Sequence, residues 1–139
     1  MLRVNKASEY GVLALGLIGS ENQPLSARQI SDVLRLPFEI TAKTLQKLKE
    51  EGLIGSTMGT HGGYNLTKPL TEISLVEVIR ALEGPVALVE CSDHSGKECL
   101  RNGSCSLKGG MLKLNHRLNE LLESIKINEL VSDLEQKIS

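Results

Sequence analysis

The sequence has very few aromatic residues and no large excess of charge of either sign. It contains one Phe, two Tyr and no Trp, and 16 Lys and Arg residues against 17 Asp and Glu residues give a formal net charge of -1. Proteins that bind single-stranded nucleic acid stack its bases on aromatic side chains in a cationic groove. The composition therefore argues against that ligand, while duplex DNA stays open as a partner if positive charge is concentrated locally.

Cysteine is missing from most of the chain, and all three cysteines lie between Cys91 and Cys105. A chain of 139 residues is long enough to form a hydrophobic core without disulfide bonds. The N-terminal apolar stretch carries Glu9, is too short to cross a bilayer and shows no convincing cleavage site. We therefore expect a cytoplasmic protein without a membrane partner, whose reduced thiols bind metal, act in redox chemistry or have no special role.

Catalytic motifs are absent as well. The sequence shows no convincing arrangement of nucleophile and base, no phosphate-binding loop and no pair of catalytic carboxylates. We therefore do not expect an enzyme.

Apolar residues at helical spacing predict three helices, followed by a hairpin. The first helix runs from Asn5, the second opens with a capping box formed by Ser26 and Gln29, and the third starts at Pro37. The strand-like runs LIGST and YNLT follow, separated by the glycine-rich segment MGTHGG. This order is typical of a winged helix-turn-helix, in which the third helix enters the major groove of DNA.

The third helix has a packing face and a face that is free for recognition. The packing face holds Phe38, Thr41, Leu45 and Leu48, and the other face holds Glu39, Ala42, Lys43, Gln46 and Lys47. The lysines, together with Lys68 after the hairpin, can contact phosphates. Glu39 can accept a hydrogen bond from cytosine, although a Glu in a first turn often only compensates the helix dipole. The predicted DNA contacts are Ser26, Arg28, Glu39, Thr41, Ala42, Lys43, Lys47, His61 and Gly62.

The C-terminal part predicts a capped helix, a loop and a long helix. Ser74 and Glu77 form a second capping box, and Gly84 with Pro85 ends the helix that follows. Beyond the loop, apolar residues at heptad spacing predict a dimerisation helix through Leu107, Met111, Leu114, Leu118, Leu121 and Ile125. The pair Gly109 and Gly110 weakens the start of this helix, so that regular structure is expected to begin after it. The last segment, with Leu130, Leu134 and Ile138, is expected to fold back on this long helix.

The cysteines follow the spacing C-x7-C-x5-C, which leaves several interpretations open. A structural zinc site usually contains a close CxxC pair, and there is none, so zinc is disfavoured. Three thiolates on one loop can hold an iron-sulfur cluster if a fourth ligand comes from elsewhere. Unbound thiols are the remaining alternative.

Several stretches together are similar to the Rrf-type winged-helix transcription regulators, a family that includes IscR, NsrR and CymR. These stretches are MLRVNKASEYGVLALGLI, LQKLKEEGLI, GTHGGYNL, EISLVEVIRALEG and the three-cysteine loop, and they cover essentially the whole chain. The segment ALEGPVALVECS most resembles the subgroup that regulates the SUF iron-sulfur assembly operon. The resemblance implies a homodimeric repressor or activator that holds a [2Fe-2S] or [4Fe-4S] cluster at Cys91, Cys99 and Cys105.

The fourth ligand and the wing depart from the IscR pattern. That pattern has a His three residues after the last cysteine, where this chain has Lys108, which cannot coordinate iron while protonated. NsrR-like members use an acidic residue early in the first helix of the other subunit, and Glu9 stands at the matching place, with His94 in the loop as a second choice. Glu9 could instead be a helix-dipole charge. In the wing, Met58 replaces an Arg of IscR-like members, and His61 precedes the glycines.

The resulting prediction is a mainly α protein with a small β-hairpin, namely a winged helix-turn-helix with a long C-terminal dimerisation helix. Residues 1–83 are assigned to the DNA-binding domain, 84–106 to the cluster-binding loop and 107–139 to dimerisation. The predicted partners are operator DNA and a second copy of the chain. The function is transcription control through a labile cluster that senses cluster, redox or nitric oxide status, with SUF-type assembly genes as targets. The alternatives are a cluster-free regulator that uses thiols or a small effector, and a zinc-stabilised protein-interaction module.

Overall fold

The computed structural model describes residues 5–85 and 108–138, and the predicted order of helices, hairpin and helices is present. Cys91, His94, Cys99, Cys105 and Leu107 lie outside the described residues. The elements are α1 (Lys6–Ser20), α2 (Ala27–Leu34), α3 (Phe38–Glu50), β1 (Ile54–Thr57), β2 (Gly63–Leu66), a 3-10 turn (Leu70–Glu72), α4 (Leu75–Glu83), α5 (Lys108–Ser124) and α6 (Ile127–Ile138). Within the described ranges, no helix is both long and apolar enough to cross a membrane.

The helix-turn-helix is formed by α2, α3 and a tight connection between them. The Ser26 hydroxyl accepts a hydrogen bond from the Gln29 amide at 3.1 Å, and the Ser26 amide donates to the Gln29 side chain at 2.9 Å, so the predicted capping box is complete. Arg35 ends α2 with φ 56° and ψ 46°, a left-handed conformation that reverses the chain direction. Pro37 then precedes the first turn of α3. The turn therefore fixes the orientation of α3 against α2.

The wing is an antiparallel hairpin that is attached to the helix-turn-helix by a further bridge. Ile54 pairs with Leu66 at its base, and Thr57 pairs with Gly63 next to the turn. Leu25, just before α2, donates its amide to the Tyr64 carbonyl at 3.1 Å and accepts from the Tyr64 amide at 2.7 Å. The hairpin is therefore held against the chain that leads into α2.

The core lies between α1, α3, α4 and α6, and it joins the C-terminal part of the chain to the winged helix. Its fully buried side chains include Leu15, Leu45, Leu48, Val78 and Ile127. The connection between α5 and α6 forms a short bridge with the chain before α4. There the Leu75 amide donates to the Ile125 carbonyl at 2.8 Å, and the Ile127 amide donates to the Ile73 carbonyl at 2.9 Å.

The fold differs from the prediction at the second capping box. The Ser74 hydroxyl accepts from the Glu77 amide at 3.3 Å, as expected. The Glu77 carboxylate does not return to the Ser74 amide, because it pairs with the Lys68 ammonium at 3.0 Å. The predicted box is thus half formed.

The C-terminal helices also differ from the prediction. The helix α5 starts at Lys108 and includes Gly109 and Gly110, whereas regular structure was expected only after them, and it ends before Ile125. The last segment forms α6, but in the described part of the chain this helix packs against α1, whereas it was expected to pack on α5. Its buried face contains Ile127 and Val131, while Leu130 is exposed. The side chains of Leu134 and Ile138 lie outside the described part.

Candidate functional site

The exposed face of α3 carries the charged side chains that the sequence predicts for DNA contact. Thr41, Thr44, Leu45 and Leu48 are buried and anchor the opposite face of the helix in the core. Glu39, Lys43 and Lys47 are exposed. Neither lysine forms an ion pair with any residue in the described part of the chain, so both ammonium groups are free to contact phosphates.

Two of the predicted contacts on α3 are less accessible than the lysines. Thr41 is fully buried, and its hydroxyl donates to the Pro37 carbonyl at 2.8 Å. This bond and the burial make it a packing residue, as its position in the helical pattern also indicates. Ala42 is half-buried at the edge of the exposed face. We therefore leave Thr41 out of the candidate interface and retain Ala42.

A cation-π contact joins the start of α2 to the start of α3. The Arg28 guanidinium carbon lies 3.9 Å from the centroid of the Phe38 ring, within the range of a cation-π interaction. Arg28 is exposed, and Phe38, which was predicted to pack inside, is partly exposed. The ring therefore restrains a cation at the surface where α2 and α3 meet. Ser26 lies at the N-terminus of the same helix, where its hydroxyl serves the capping box.

The wing turn presents His61 and closes on Gly62. His61 is exposed, and the Gly62 amide donates to the Gly59 carbonyl at 3.0 Å. A Cβ atom on Gly62 would overlap the Thr57 carbonyl oxygen. Glycine at this position is therefore required by the turn itself. Lys68, which was predicted as a phosphate contact, is held in its ion pair with Glu77.

Sequence reasoning missed one exposed residue on the same face. Ile40, in the first turn of α3, is exposed, although isoleucine is usually buried. Its spacing of three residues from Lys43 was the available signal, because residues three apart share a helix face.

Of the predicted metal ligands, the structure describes Glu9. This residue is exposed in the first turn of α1, and its carboxylate makes no hydrogen bond or ion pair within the described ranges. The neighbouring Ser8 is buried and its hydroxyl donates to the carboxylate of Glu83, the last residue of α4. Glu9 thus lies near the point where the chain leaves α4 towards the cysteines. Among the described residues, no three potential ligands come together in a metal-binding group.

The predicted dimerisation helix exposes apolar side chains along its length. Leu114 and Leu121 are 51% and 57% exposed, and Leu112 is also exposed. Met111 and Leu118 are partly buried, and Ile125 lies in the connection to α6. A helix of this kind leaves apolar surface available to a partner.

Residues 4–133 match the Rrf2 family, described as an iron-dependent transcriptional regulator. The chain is 31% identical to the HTH-type transcriptional regulator NsrR of Shouchella clausii over 106 residues, covering 76% of this chain and 71% of the relative. It is 28% identical to the HTH-type transcriptional regulator IscR of Klebsiella pneumoniae over 136 residues, covering 96% of this chain and 82% of that protein. The structure of CymR, the global cysteine regulator of B. subtilis, matches with a TM-score of 0.70 and 25% identity, covering 95% of this chain and 98% of CymR.

These matches extend over both the winged helix and the C-terminal helices, and they confirm the predicted fold. The curated relatives are regulators of transcription, which supports a protein that is not an enzyme at the level of the family. The chain therefore belongs to the Rrf2 family and is a winged-helix, DNA-binding transcriptional regulator.

Proposed function

We propose that the chain forms a homodimer that reads a two-half-site operator with α3 and responds to an iron-sulfur cluster. The observation that carries the DNA-binding part is the pair of free ammonium groups, Lys43 and Lys47, on a helix whose opposite face is anchored in the core. Cations on a rigid helix give both affinity and a defined register on the duplex. The protein acts in the cytoplasm in this proposal.

The proposed interface has three parts, which fit the docking of a winged helix on duplex DNA. Its residues are Ser26 and Arg28 at the start of α2, Glu39, Ala42, Lys43 and Lys47 on α3, and His61 and Gly62 in the wing. The side chains on α3 face the major groove, and the wing lies beside the backbone. In the same proposal, residues 1–83 form the DNA-binding domain, 84–106 the cluster-binding loop and 107–139 the dimerisation part.

The lysines can be tested through the salt dependence of DNA binding. In a dimer, the double substitution Lys43→Ala and Lys47→Ala removes four cations, and each phosphate contact adds about 0.9 to the slope of log affinity against log salt. We expect the slope to fall by roughly 3 to 4 in magnitude, with an unchanged melting temperature. The measurement is fluorescence anisotropy on duplexes selected from a random pool by the parent protein.

Lys126→Ala is the matched control, because Lys126 lies in the connection between α5 and α6 and its ammonium donates to the Glu123 carbonyl at 3.3 Å. This variant should keep the parent slope. A parent protein that selects and binds no duplex would instead favour a protein-interaction module, and an unchanged slope in the double variant would move the DNA surface away from α3.

The cluster part of the proposal is supported by the set of ligand atoms and by the relatives. Three thiolates and a carboxylate suit iron, and both NsrR and IscR occur among the relatives of a family described as iron-dependent. Cys91, Cys99 and Cys105 would hold the cluster, with Glu9 of the partner subunit as the fourth ligand and His94 as the second choice. When bound, the cluster would supply an iron centre that reacts with oxidants or nitric oxide.

Glu9 is available as the fourth ligand of the cluster because its carboxylate is free in the part of the chain that the structure describes. It has no intramolecular hydrogen bond to lose within the described residues. A carboxylate binds iron less firmly than a thiolate, so the cluster would be labile, as a sensor requires. Genes for SUF-type cluster assembly are the proposed targets. Gain or loss of the cluster would change the affinity for DNA, and DNA would change the affinity for the cluster by the same factor.

The source of the fourth ligand can be tested by mixing subunits. Mixed dimers of a Glu9→Ala chain and a Cys99→Ser chain are isolated without oxygen through two different affinity tags. If Glu9 acts on the partner's cysteines, one of the two sites in the mixed dimer is complete, and iron and sulfide should reach about half of the parent content, whereas neither variant homodimer should hold a stable cluster.

Glu21→Ala is the control, because Glu21 is an exposed carboxylate at the other end of α1. A mixed dimer with no more iron than either homodimer would contradict the partner's supply of Glu9. Parent protein that stays colourless after anaerobic reconstitution would favour a cluster-free regulator. That second candidate draws support from the similarity to CymR, a cysteine regulator.

A further inference from the structure

Large apolar side chains are exposed in three parts of the described chain. They are Val33, Phe38, Ile40 and Met58 in the helix-turn-helix and wing, Leu112, Leu114 and Leu121 on α5, and Leu130 on α6. The residues on α5 suit a helix that pairs with a second subunit. The residues on α3 lie instead on the surface assigned to DNA, and they need a separate explanation.

Ile40 belongs to the stripe of α3 that carries the lysines. It is the third residue of the helix and lies three residues before Lys43 and seven before Lys47, so all three side chains follow one face. It is 44% exposed, between the buried Thr41 and the exposed Glu39. Nearly half of its surface is therefore available for a contact outside the chain.

The side chain of Ile40 is also stiff. A β-branched residue in a helix has one strongly preferred χ1 rotamer, so its methyl groups keep a fixed direction relative to the helix axis. A fixed apolar group can discriminate between surfaces that differ by a methyl group, because little side-chain entropy is lost on contact.

We propose that Ile40 contacts the 5-methyl group of a thymine in each half-site and so sets the base preference at that position. This inference rests on the proposed DNA-binding function. The N-terminal residues of a recognition helix contact base edges, and Ile40 lies in the first turn of α3. The thymine methyl is the apolar group that the major-groove edges of unmodified base pairs present. Ile40 has no hydrogen-bonding group for the other edges.

The inference can be tested by removing the 5-methyl group of thymine and the side chain of Ile40, first separately and then together. The full-length protein first selects duplexes from a random pool. Each thymine of one half-site is then replaced by deoxyuridine, which lacks only the 5-methyl group, and the dissociation constant is measured by fluorescence anisotropy. At one position the parent should lose affinity roughly fourfold, the value expected for one buried methyl-sized group.

In the Ile40→Ala variant, the uridine replacement at that position should cost nothing, because the two changes remove the same contact. Alanine favours the helix, so the variant should keep the parent melting temperature. Leu130→Ala is the matched control, since Leu130 is 45% exposed but lies on α6. This control variant should still lose affinity roughly fourfold when the thymine is replaced by deoxyuridine.

The outcomes separate this inference from the proposed function. Tight, salt-dependent binding of the selected duplexes with no uridine-sensitive thymine would overturn the role of Ile40 alone. If the uridine replacement still lowers the affinity of Ile40→Ala, the role of Ile40 is overturned as well. A parent protein that selects and binds no duplex would overturn the DNA-binding proposal, and the inference with it.

Discussion

At the scale of single residues, Gly62 shows how the wing depends on close backbone approach. A Cβ atom there would overlap the Thr57 carbonyl oxygen and would lie 2.9 Å from the Met58 carbonyl carbon. Backbone atoms cannot move aside as the end of a flexible side chain can. We predict that Gly62→Ala lowers the free energy of unfolding by about 1–3 kcal/mol, the usual cost of overpacking, measured by urea denaturation without DNA.

Gly55→Ala is the control for this substitution, because Gly55 lies in β1 of the same hairpin. A Cβ atom there would meet the Asn65 amide oxygen at 3.6 Å, which is an ordinary contact. This variant should stay within about 0.5 kcal/mol of the parent or be slightly more stable, since glycine weakens a strand. Equal losses in both variants would show that the wing tolerates no side chain at either position and that the turn contact is not the cause.

The roles of individual residues were predictable where they depended on position along one element. The exposure of Lys43 and Lys47 follows from the helical pattern of α3, which the sequence displays. The pairing of Lys68 with Glu77 depends on how the chain after the hairpin meets α4, and local periodicity carries no information on that contact. The stacking of Arg28 on Phe38 was missed for the same reason, because it joins two helices across a turn.

At the scale of elements, the start of α5 can be tested through its two glycines. The helix begins at Lys108, so Gly109 and Gly110 lie in its first turn, and a Cβ atom at either position would have no neighbour within 4 Å. Each glycine loses about 0.5–1 kcal/mol relative to alanine in a helix. We predict that the double substitution Gly109→Ala and Gly110→Ala raises the denaturation midpoint and the helical circular dichroism signal.

Gly11→Ala provides the contrast within α1. A Cβ atom at Gly11 would lie 2.6 Å from the Leu82 Cδ1 atom and 3.4 Å from the Val78 Cγ1 atom of α4. Because Leu82 is buried in the core, its side chain has little room to move aside, so this variant should be less stable although alanine is the better helix former. A double variant on α5 with an unchanged or lower midpoint would mean that the first turn of α5 is not helical in solution.

The starts of α2 and α4 show which capping contacts the sequence predicts and which it does not. Both serine caps were predicted from the hydroxyl and the acid or amide three residues later, and both hydroxyls accept the expected amide. The reciprocal bond forms at Gln29 but not at Glu77, because a charged carboxylate gains more from the nearby Lys68 ammonium than from one amide. Sequence identifies a possible cap, and tertiary contacts decide which partner the side chain takes.

At the scale of the whole molecule, the C-terminal helices are coupled to the DNA-binding part through backbone bonds. The chain between α5 and α6 pairs with the residues before α4, and α6 packs on α1 through Ile127 and Val131. The heptad pattern predicted α5, but the last segment was expected to fold back on that helix, whereas α6 packs against α1 with Ile127 and Val131 buried and Leu130 exposed. A helix of moderate length has several possible apolar stripes, and the packing against α1 selects one of them.

The apolar stripe of α5 predicts the assembly of the molecule. Leu114 and Leu121 are the most exposed leucines of this helix in the described chain, one heptad apart, and pairing with a second copy would bury both. We expect the double substitution Leu114→Lys and Leu121→Lys to give monomers in multi-angle light scattering, because two charges per chain would have to be buried in the interface.

Leu130→Lys, on α6, is the control and should remain a dimer. A parent protein that is itself monomeric, or a double variant that keeps the mass of a dimer, would show that α5 does not join the subunits. A monomeric variant should retain its melting behaviour and lose most of its affinity for a two-half-site duplex, because the second half-site would no longer be tethered to the first.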